Sequence, residues 1–291
     1  MSEPLNEQPT ESTNEASVVS TIVMRSAPAV SLRPALRWYG GKWRMAEWII
    51  SHFPKHDCYI EPCFGAGSIL LNKNRSKVET VNDLDENVVN FFATLRDQPE
   101  QLVEQIRLTP WAKSEATLPI EGDSVERARR FWAQCWMTIA QKDSNQTFRI
   151  SKKGTATPAN IMREIDYLYV VANRLIGVQI ESLDALEFIG KYDDPKAVIY
   201  FDPPYLKETR SHADEYALEV DNEFHVAAAK LLNECKAMVV VSGYHHKLYD
   251  DLYAGWTRLD KRFLANSQQT KTESVWLSPN IEPQANLWHA S

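Results

Sequence analysis

Hydrophobic and polar positions follow two periods along this chain, one typical of strands and one typical of helices. Short strand-like segments predict strands at 58–62, 78–81, 177–181, 197–201 and 237–242, of which 197–201 is continuously apolar, with two further candidates at 258–264 and 273–277. Apolar residues spaced three and four apart predict helices at 44–50, from 68 onward, and at 86–96, 184–190 and 220–235. Strands that alternate with helices in this way are typical of an α/β sheet whose strands are mostly parallel.

Residues 97–174 depart from this alternation and have a helical, basic pattern. Residues 107–174 contain 11 Lys and Arg against 7 Asp and Glu, although the whole chain has a net charge of −7. We therefore predict an α/β domain formed by residues 34–96 and 175–291, with a helical insertion at 97–174. Within the insertion, residues 141–158 are predicted to be a polar loop. Residues 1–33, which begin with many Ser, Thr, Glu and Asn, are predicted to be a disordered tail.

Several classes of protein do not fit this sequence. No apolar run approaches the roughly 20 residues that cross a bilayer, and the N-terminal residues lack the pattern of a secretory signal. We expect a cytoplasmic protein that does not enter a membrane, and we expect it to be monomeric. The cysteines and histidines show no paired spacing typical of disulfides or zinc sites, so we expect buried free thiols and no metal. The four cysteines are Cys58, Cys63, Cys135 and Cys235.

A glycine-rich turn follows the first predicted strand and leads into a helix. It has the sequence Glu61-Pro62-Cys63-Phe64-Gly65-Ala66-Gly67, and turns at this place in an open α/β sheet bind nucleosides. The third glycine of a dinucleotide site is missing, while the next strand ends in Asp83, whose carboxylate can accept hydrogen bonds from ribose hydroxyls. The pattern favours S-adenosylmethionine over NAD, although two glycines by themselves are also typical of a plain tight turn.

The sequence Asp202-Pro203-Pro204-Tyr205 directly follows the predicted strand at 197–201. The two prolines fix the backbone and remove two N–H donors, which leaves rigid carbonyl acceptors. The Asp202 carboxylate and the Pro203 carbonyl can then accept the two hydrogens of an exocyclic amine, and Tyr205 offers a face for stacking of the base. A strand-ending turn with a capping aspartate is the alternative. The position of the D-P-P-Y sequence, after an apolar strand and downstream of the glycine turn, disfavours that alternative.

Two further segments have functional interpretations. Trp38-Tyr39-Gly40-Gly41-Lys42 is not a phosphate loop, because Trp43 rather than Ser or Thr follows the lysine. It is either a wall of the cofactor pocket or an apolar lead into the next helix. Basic residues beside aromatic ones in the insertion are typical of a nucleic-acid surface. A solvated helix face with an apolar core stripe is the alternative, which we favour for the tryptophans Trp132 and Trp136.

Together these motifs resemble the Dam-like, D12 class of adenine-N6 DNA methyltransferases. Residues 38–42 match the family opening W-x-G-G-K, 61–67 its glycine motif, 82–85 its N-D-x-[ND] motif and 272–276 its late T-E-x-L-W motif, and D-P-P-Y is intact. The resemblance covers about residues 36–279 and has the order in which cofactor motifs precede the recognition segment. Glu61 replaces the usual aspartate, and Cys63 and Phe64 interchange the common order.

The resemblance implies a Rossmann-like methyltransferase sheet with a helical target-recognition insertion. It also implies a site-specific enzyme that transfers the methyl group of S-adenosylmethionine to N6 of an adenine flipped out of double-stranded DNA, without a metal. The implied catalytic residues are Asp202, Pro203, Pro204 and Tyr205. The implied cofactor-binding residues are Trp38, Tyr39, Lys42, Glu61, Phe64, Gly65, Ala66, Gly67, Asp83, Asp184 and Asp202. The expected DNA-binding residues are Arg127, Arg129, Arg130, Arg149, Lys152, Lys153 and Lys271.

Other functions stay open at this point. Methyltransferases of the same fold can act on RNA adenine, on cytosine N4 or on a protein amide, and a non-catalytic DNA-binding relative would keep the same pocket. An NAD-dependent oxidoreductase is disfavoured by the missing third glycine.

Overall fold

A single mixed sheet organises the part of the chain that the structure, a computed structural model, describes: residues 33–138, 148–150, 158–206, 208, 220–264 and 270–281. The strands are β1 (Cys58–Glu61), β2 (Val78–Asn82), β3 (Gln179–Glu181), β4 (Ala197–Phe201), β5 (Met238–Gly243), β6 (Thr257–Leu264) and β7 (Thr270–Leu277). Their order is β3-β2-β1-β4-β5-β7-β6. Within this sheet only β7 runs antiparallel to its neighbours, β5 and β6.

Helices connect and cover these strands. They are α1 (Ala46–Ile50), α2 (Ser68–Asn72), α3 (Glu86–Asp97), α4 (Pro99–Arg107), α5 (Lys113–Ala116), α6 (Ser124–Met137), α7 (Pro158–Arg163), α8 (Tyr167–Leu175), α9 (Ala185–Lys191), α10 (Asn222–Glu234) and α11 (Lys247–Leu252). Aspartates cap the first turns of four of them, because a carboxylate there accepts backbone N–H groups that have no partner within the helix. These caps are Asp85 of α3, Asp123 of α6, Asp184 of α9 and Asp221 of α10.

The central strands are buried on both faces, as expected for parallel strands that helices cover on either side. In β4, Val198 and Tyr200 point into one hydrophobic cluster, together with residues of α1, α3 and α8. Ile199 and Phe201 point into a second cluster, together with residues of α9, α10 and α11. The alternation follows from the two-residue period of a strand.

The helical segment between α3 and β3 shares the first of these clusters with the sheet. Helix α6 packs against α3 and α4, and α8 packs against the same two helices. Trp132 of α6 is fully buried in this cluster, which agrees with the core interpretation of that tryptophan. The segment and the sheet belong to one compact unit, Ser31–Ser291. The assignment of the segment as a separate target-recognition insertion stays a prediction.

Most predicted elements are confirmed within one to three residues, and β4 matches its predicted bounds. Helix α11 was not predicted. The predicted disordered tail lies outside the described residues except for Arg33, and so does the predicted polar loop except for 148–150 and Pro158. All four cysteines are free, but Cys58 and Cys63 are only half-buried, so the expectation of buried thiols is wrong for these two.

Membrane-spanning helices and metal-binding clusters are both absent from the described residues. None of the described helices combines the length and the apolar character that a membrane crossing requires. Within the same residues, no group of three or more His, Cys, Asp and Glu side chains is placed to hold a metal ion.

Candidate active site

A cleft of about 1000 Å³ opens at the carboxyl ends of the parallel strands. Strands β1 and β4 are neighbours, and the chain leaves them toward opposite sides of the sheet. Such a switch point is where open α/β sheets bind ligands. The predicted site residues that line the cleft are Trp38, Tyr39, Lys42, Glu61, Phe64, Gly65, Ala66, Asp83, Asp184, Asp202, Pro203 and Pro204. Gly67 and Tyr205 are not among the lining residues.

Asp83 fastens the glycine turn to the end of β2. Its Oδ2 atom accepts a hydrogen bond of 2.7 Å from the Gly65 N–H, and its Oδ1 atom accepts one of 2.9 Å from the Asp85 N–H. Burial raises the pKa of Asp83 to about 6, although the hydrogen bonds from the two backbone groups lower it. The carboxyl group therefore shapes the turn and changes its charge close to neutral pH.

The two glycines of the turn have different tasks. Gly65 has φ +50°, and a Cβ atom there would lie 3.0 Å from the Trp38 indole ring, so the absence of a side chain lets Trp38 close over the turn. Gly67 has φ +67°, and a Cβ atom would lie 2.6 Å from the Phe64 ring. Gly67 does not line the cleft, and the structure gives it a conformational task. A cofactor contact of Gly67 stays a prediction.

Asn82 was quoted in the sequence motif but received no role, and the structure gives it one. Its Nδ2 group donates to the carbonyls of Pro62 and Leu183 at 3.0 Å each, and its Oδ1 atom accepts from the Leu183 N–H at 2.8 Å. One buried amide thus joins the loops that follow β1, β2 and β3. The place of Asn82 at the carboxyl end of a strand, directly before Asp83, is the signal that could have indicated such a role.

Asp202 is held by a donor on each carboxylate oxygen. Lys42 Nζ lies 3.0 Å from Oδ2, and the Ser242 hydroxyl donates to Oδ1 at 2.8 Å. Ser242 in turn shares a hydrogen bond of 2.9 Å with the Tyr200 hydroxyl. The carboxylate that begins the D-P-P-Y sequence is therefore fixed in orientation by residues from two other segments of the chain.

Lys42 is a buried cation, only 6% exposed. Its ammonium group also donates to the Gly40 carbonyl at 2.7 Å and lies 4.6 Å from the centre of the Tyr205 ring. Burial alone would lower the pKa of Lys42, but the carboxylates of Asp202 and Glu273 outweigh burial, and the net pKa is raised. Lys42 therefore stays charged and neutralises part of the negative charge at the D-P-P-Y corner.

Tyr205 is buried beneath the corner rather than exposed in the cleft. Its hydroxyl donates to Glu273 Oε1 at 2.5 Å, and the edge of Tyr244 meets its ring at a centroid distance of 4.8 Å. Stacking of a base on Tyr205 stays a prediction. Glu273 is a residue of the late motif to which the sequence assigned no function.

Glu61 closes the floor of the cleft between β1 and β4. It is buried, and its Oε2 atom accepts a hydrogen bond of 2.7 Å from the Tyr59 hydroxyl. Burial raises the pKa of Glu61 well above its ordinary value, and repulsion from Asp202 acts in the same direction, against the lowering effects of Tyr59 and Lys73.

A family model of D12 class N6 adenine-specific DNA methyltransferases matches residues 38–120 and 127–267, more than half of the chain. The chain belongs to this family. Individual proteins agree with the assignment. The DNA adenine methylase of Serratia marcescens is 32% identical over 240 residues, which cover 76% of this chain and 87% of that protein.

Two more distant relatives extend over similar lengths. The DNA adenine methylase of Haemophilus influenzae is 25% identical over 254 residues, 78% of this chain and 85% of that protein. The type II methyltransferase M.MjaIII of Methanocaldococcus jannaschii is 24% identical over 266 residues, 78% of this chain and 90% of that protein. An rRNA methyltransferase structure from Streptomyces viridochromogenes has a TM-score of 0.40 at 14% identity, covering 87% of this chain and 92% of that one. The fold assignment rests on strand order and family membership instead.

These findings confirm the family, the Rossmann-like fold and the adenine-specific DNA methyltransferase activity expected from the sequence. They disfavour the two alternative functions, an NAD-dependent oxidoreductase and a non-catalytic DNA-binding relative. None of the comparisons tests the roles of individual residues, which stay predictions and are proposed below.

The basic residues of this D12 methyltransferase differ in their surroundings. Arg129 is 8% exposed, and its guanidinium group binds both carboxylate oxygens of Glu126 as well as Glu115 and Thr109. Arg130 binds Glu126 at 2.6 Å and the Pro119 carbonyl at 2.8 Å. DNA contacts by these two arginines stay predictions, and the surroundings of Arg129 favour a structural role.

The remaining basic residues lie elsewhere on the methyltransferase. Arg127 is half-buried on α6. Arg149 lines a second cavity together with Arg37, and burial lowers the pKa of Arg149. Lys271 lies on β7, with Nζ 5.1 Å from the centre of the Tyr244 ring. Lys152 and Lys153 lie outside the described residues. None of the described DNA-binding candidates lines the cleft.

Proposed function

We propose that this chain binds S-adenosylmethionine in the cleft and transfers its methyl group to N6 of an adenine that duplex DNA presents at Asp202-Pro203-Pro204-Tyr205. The observation that carries the proposal is the cleft itself. It brings together the glycine turn after β1, Asp83 after β2 and the diproline corner after β4, the three parts that the sequence motifs offered separately.

The residues of the cleft fit the proposed cofactor. Carboxyl groups of Glu61, Asp83, Asp184 and Asp202 line a cleft that also contains the Trp38 ring. Such a set suits a cationic nucleoside, because carboxylates attract its positive charge and accept hydrogen bonds from its ribose hydroxyls. A dinucleotide would instead need a cradle for its pyrophosphate. When bound, S-adenosylmethionine supplies an electrophilic methyl carbon.

Asp83 and the glycine turn hold the nucleoside in this proposal. The carboxylate of Asp83 accepts the ribose hydroxyl hydrogens while it keeps its bond to the Gly65 N–H. Trp38, which packs against Gly65, covers the turn and excludes water from that side. Leu84 and Phe224 also line the cleft and offer apolar contacts that the sequence analysis did not single out.

Asp202 and the Pro203 carbonyl hold the target nitrogen. They accept its two hydrogens, which orients the nitrogen lone pair and stabilises the positive charge that develops on the nitrogen during transfer. Lys42 and Ser242 fix the Asp202 carboxylate, so this acceptor pair is organised before the base arrives. The proton that the product nitrogen must lose leaves by way of this corner or of solvent.

The adenine must leave the base stack to reach the corner. The diproline segment lines a cleft at the carboxyl end of the central strand β4, and N6 of a paired adenine lies inside the duplex. Extrusion of the base costs a few kcal/mol, and the contacts that the flipped base makes in the site offset this cost. Basic residues outside the cleft then supply phosphate contacts that fix the duplex.

The test is methyl transfer by the Asp202→Ala variant. Because the acceptor of the amino hydrogens is lost, we expect the rate of transfer to fall by about 100- to 1000-fold, with DNA binding retained. The matched control is Asp194→Ala, which removes a carboxylate that accepts from the Lys196 N–H just before β4, at the other end of the same strand. This control should keep its activity.

The assay follows a tritiated methyl group into duplex DNA, RNA and protein, with digestion of the nucleic acids to nucleosides. Label in N6-methyldeoxyadenosine supports the proposal. Label only in RNA, in protein or in N4-methylcytosine would replace the proposed substrate. Full activity of the Asp202→Ala variant would remove Asp202 from the mechanism.

A further inference from the structure

Glu273 is a buried carboxyl group beside the diproline corner for which the mechanism above has no task. It lies in β7 and is 2% exposed. In the register of the sheet it pairs with Lys261 of β6, away from the glycine turn. Its Oε1 atom accepts a hydrogen bond of 2.5 Å from the Tyr205 hydroxyl, 68 residues earlier in the chain. A buried carboxyl group costs free energy unless its partners compensate, so its contacts need an explanation.

The contacts of Glu273 lead directly to Asp202. Tyr205 is held at its hydroxyl by Glu273, and Lys42 Nζ lies 4.6 Å from the centre of its ring. The same ammonium group pairs with Asp202 Oδ2 at 3.0 Å. Lys42 therefore stands between two carboxyl groups, one that faces the cleft and one that does not.

We propose that Glu273 is a positioning residue for methyl transfer: in its ionised form it holds Tyr205 in place and competes with Asp202 for the charge of Lys42. Asp202 is then the stronger acceptor for the hydrogens of the target amino group. With a proton on Glu273, Lys42 interacts with Asp202 alone and weakens that acceptor. This inference rests on the proposed function and adds a residue to it.

The charges around Glu273 support a change of ionisation in the working range of pH. The pKa of Glu273 is raised to about 7, mainly by burial and also by repulsion from Asp202, and Lys42, the Tyr205 hydroxyl and Lys271 oppose this rise. Tyr200 of β4 also faces Glu273 and stays protonated, since burial raises its pKa well above the ordinary value. The ionised form therefore becomes populated as the pH rises through neutrality, so we expect the rate of transfer to rise over the same range.

The experiment measures the single-turnover rate of methyl transfer to duplex DNA between pH 5.5 and 8.5 with full-length protein, at saturating S-adenosylmethionine, so that ionisation of Asp83 does not contribute to the profile. For the wild type we expect the plot of rate against pH to have a rising limb, that is, a rate that increases with pH, with a midpoint near the pKa of Glu273. The Glu273→Gln variant keeps an acceptor for Tyr205 but cannot ionise. We expect its rate at pH 8.5 to fall about ten- to a hundredfold below wild type, and we expect its limb to be flat.

The matched control is Asp260→Asn, which removes a carboxylate on the neighbouring strand β6 whose partners are Ser274 at 2.7 Å and Arg258 at 3.5 Å. It should keep the rising limb. A second variant, Tyr205→Phe, removes the hydroxyl that lowers the pKa of Glu273, so the midpoint of its limb should move to higher pH. This variant keeps the inference testable if Glu273→Gln does not fold.

Three results decide the matter. A limb in Glu273→Gln that has the wild-type midpoint and rate would overturn the inference, and so would an unmoved midpoint in Tyr205→Phe. Equal affinity of wild type and Glu273→Gln for S-adenosylmethionine, together with a flat limb, would support positioning rather than a general structural defect. If the wild type itself transfers no methyl group to DNA, the proposed function fails, which is a different outcome from an active wild type with an unchanged variant.

Discussion

Replacement of Arg129 by alanine tests whether this arginine stabilises the helical segment or binds DNA. The substitution removes two bonds to Glu126, of 2.6 and 2.7 Å, one of 2.7 Å to Glu115 and one of 3.1 Å to Thr109. Removal of one partner from a buried ion pair costs about 3 to 5 kcal/mol. Here the two carboxylates are 31% and 23% exposed and regain some hydration, so we expect a loss of about 2 to 3 kcal/mol.

The free energy of unfolding is measured with urea, and the same variant is titrated with duplex DNA at several salt concentrations. The loss should lower the melting temperature by about 4 to 12 °C in a protein of this size. Because the Arg129 guanidinium already binds protein carboxylates, the salt slope of DNA binding should not change. A lost phosphate contact would reduce that slope by about 0.9.

Arg127→Ala is the matched control on the same helix. Arg127 is half-buried on α6, and its replacement should change the free energy of unfolding by no more than about 0.5 kcal/mol. A smaller salt slope in Arg129→Ala, with an unchanged free energy of unfolding, would refute the structural role of Arg129 and restore it as a DNA contact.

Two further predictions concern the cofactor cleft. Burial raises the pKa of Asp83 to about 6. Below that pH Asp83 is mostly protonated, and it must lose its proton before its carboxylate can bind the ligand. The affinity for S-adenosylmethionine, measured by equilibrium binding, should therefore fall as the pH drops through 6. Asp83→Asn should bind weakly without this dependence, whereas a pH-independent wild type would contradict the role. Gly67→Ala places a Cβ atom 2.6 Å from the Phe64 ring at φ +67° and should cost about 1 to 3 kcal/mol in urea unfolding. Gly190→Ala, in α9 with open space around it, should instead stabilise the protein by about 0.5 to 1 kcal/mol. Equal changes in the free energy of unfolding for the two variants would contradict the backbone strain expected at position 67.

The order and pairing of the strands were only partly predictable. Strands β1, β4 and β5 are parallel strands covered on both faces, and such strands appear in a sequence as short apolar runs. The insertion of β7 between β5 and β6 has no counterpart in the sequence pattern, because hydrophobic periodicity reports which faces are buried and not which strands are neighbours. Helix α11 was not predicted.

The sequence by itself determined the chemistry offered by contiguous motifs. The glycine turn and the diproline corner are short stretches whose backbone restrictions are local, so their residues could be named before any fold was known. Family membership followed from the order of those motifs.

Only the tertiary structure decided which polar groups work together. Glu273 and Tyr205 meet across 68 residues of chain, and Arg129, which the sequence does not distinguish from Arg127, turns toward Glu115 and Glu126. The physical reason is that burial, which sets the strength of a charge or a hydrogen bond, depends on elements that are distant in sequence. Periodicity along one helix or strand carries no information about them.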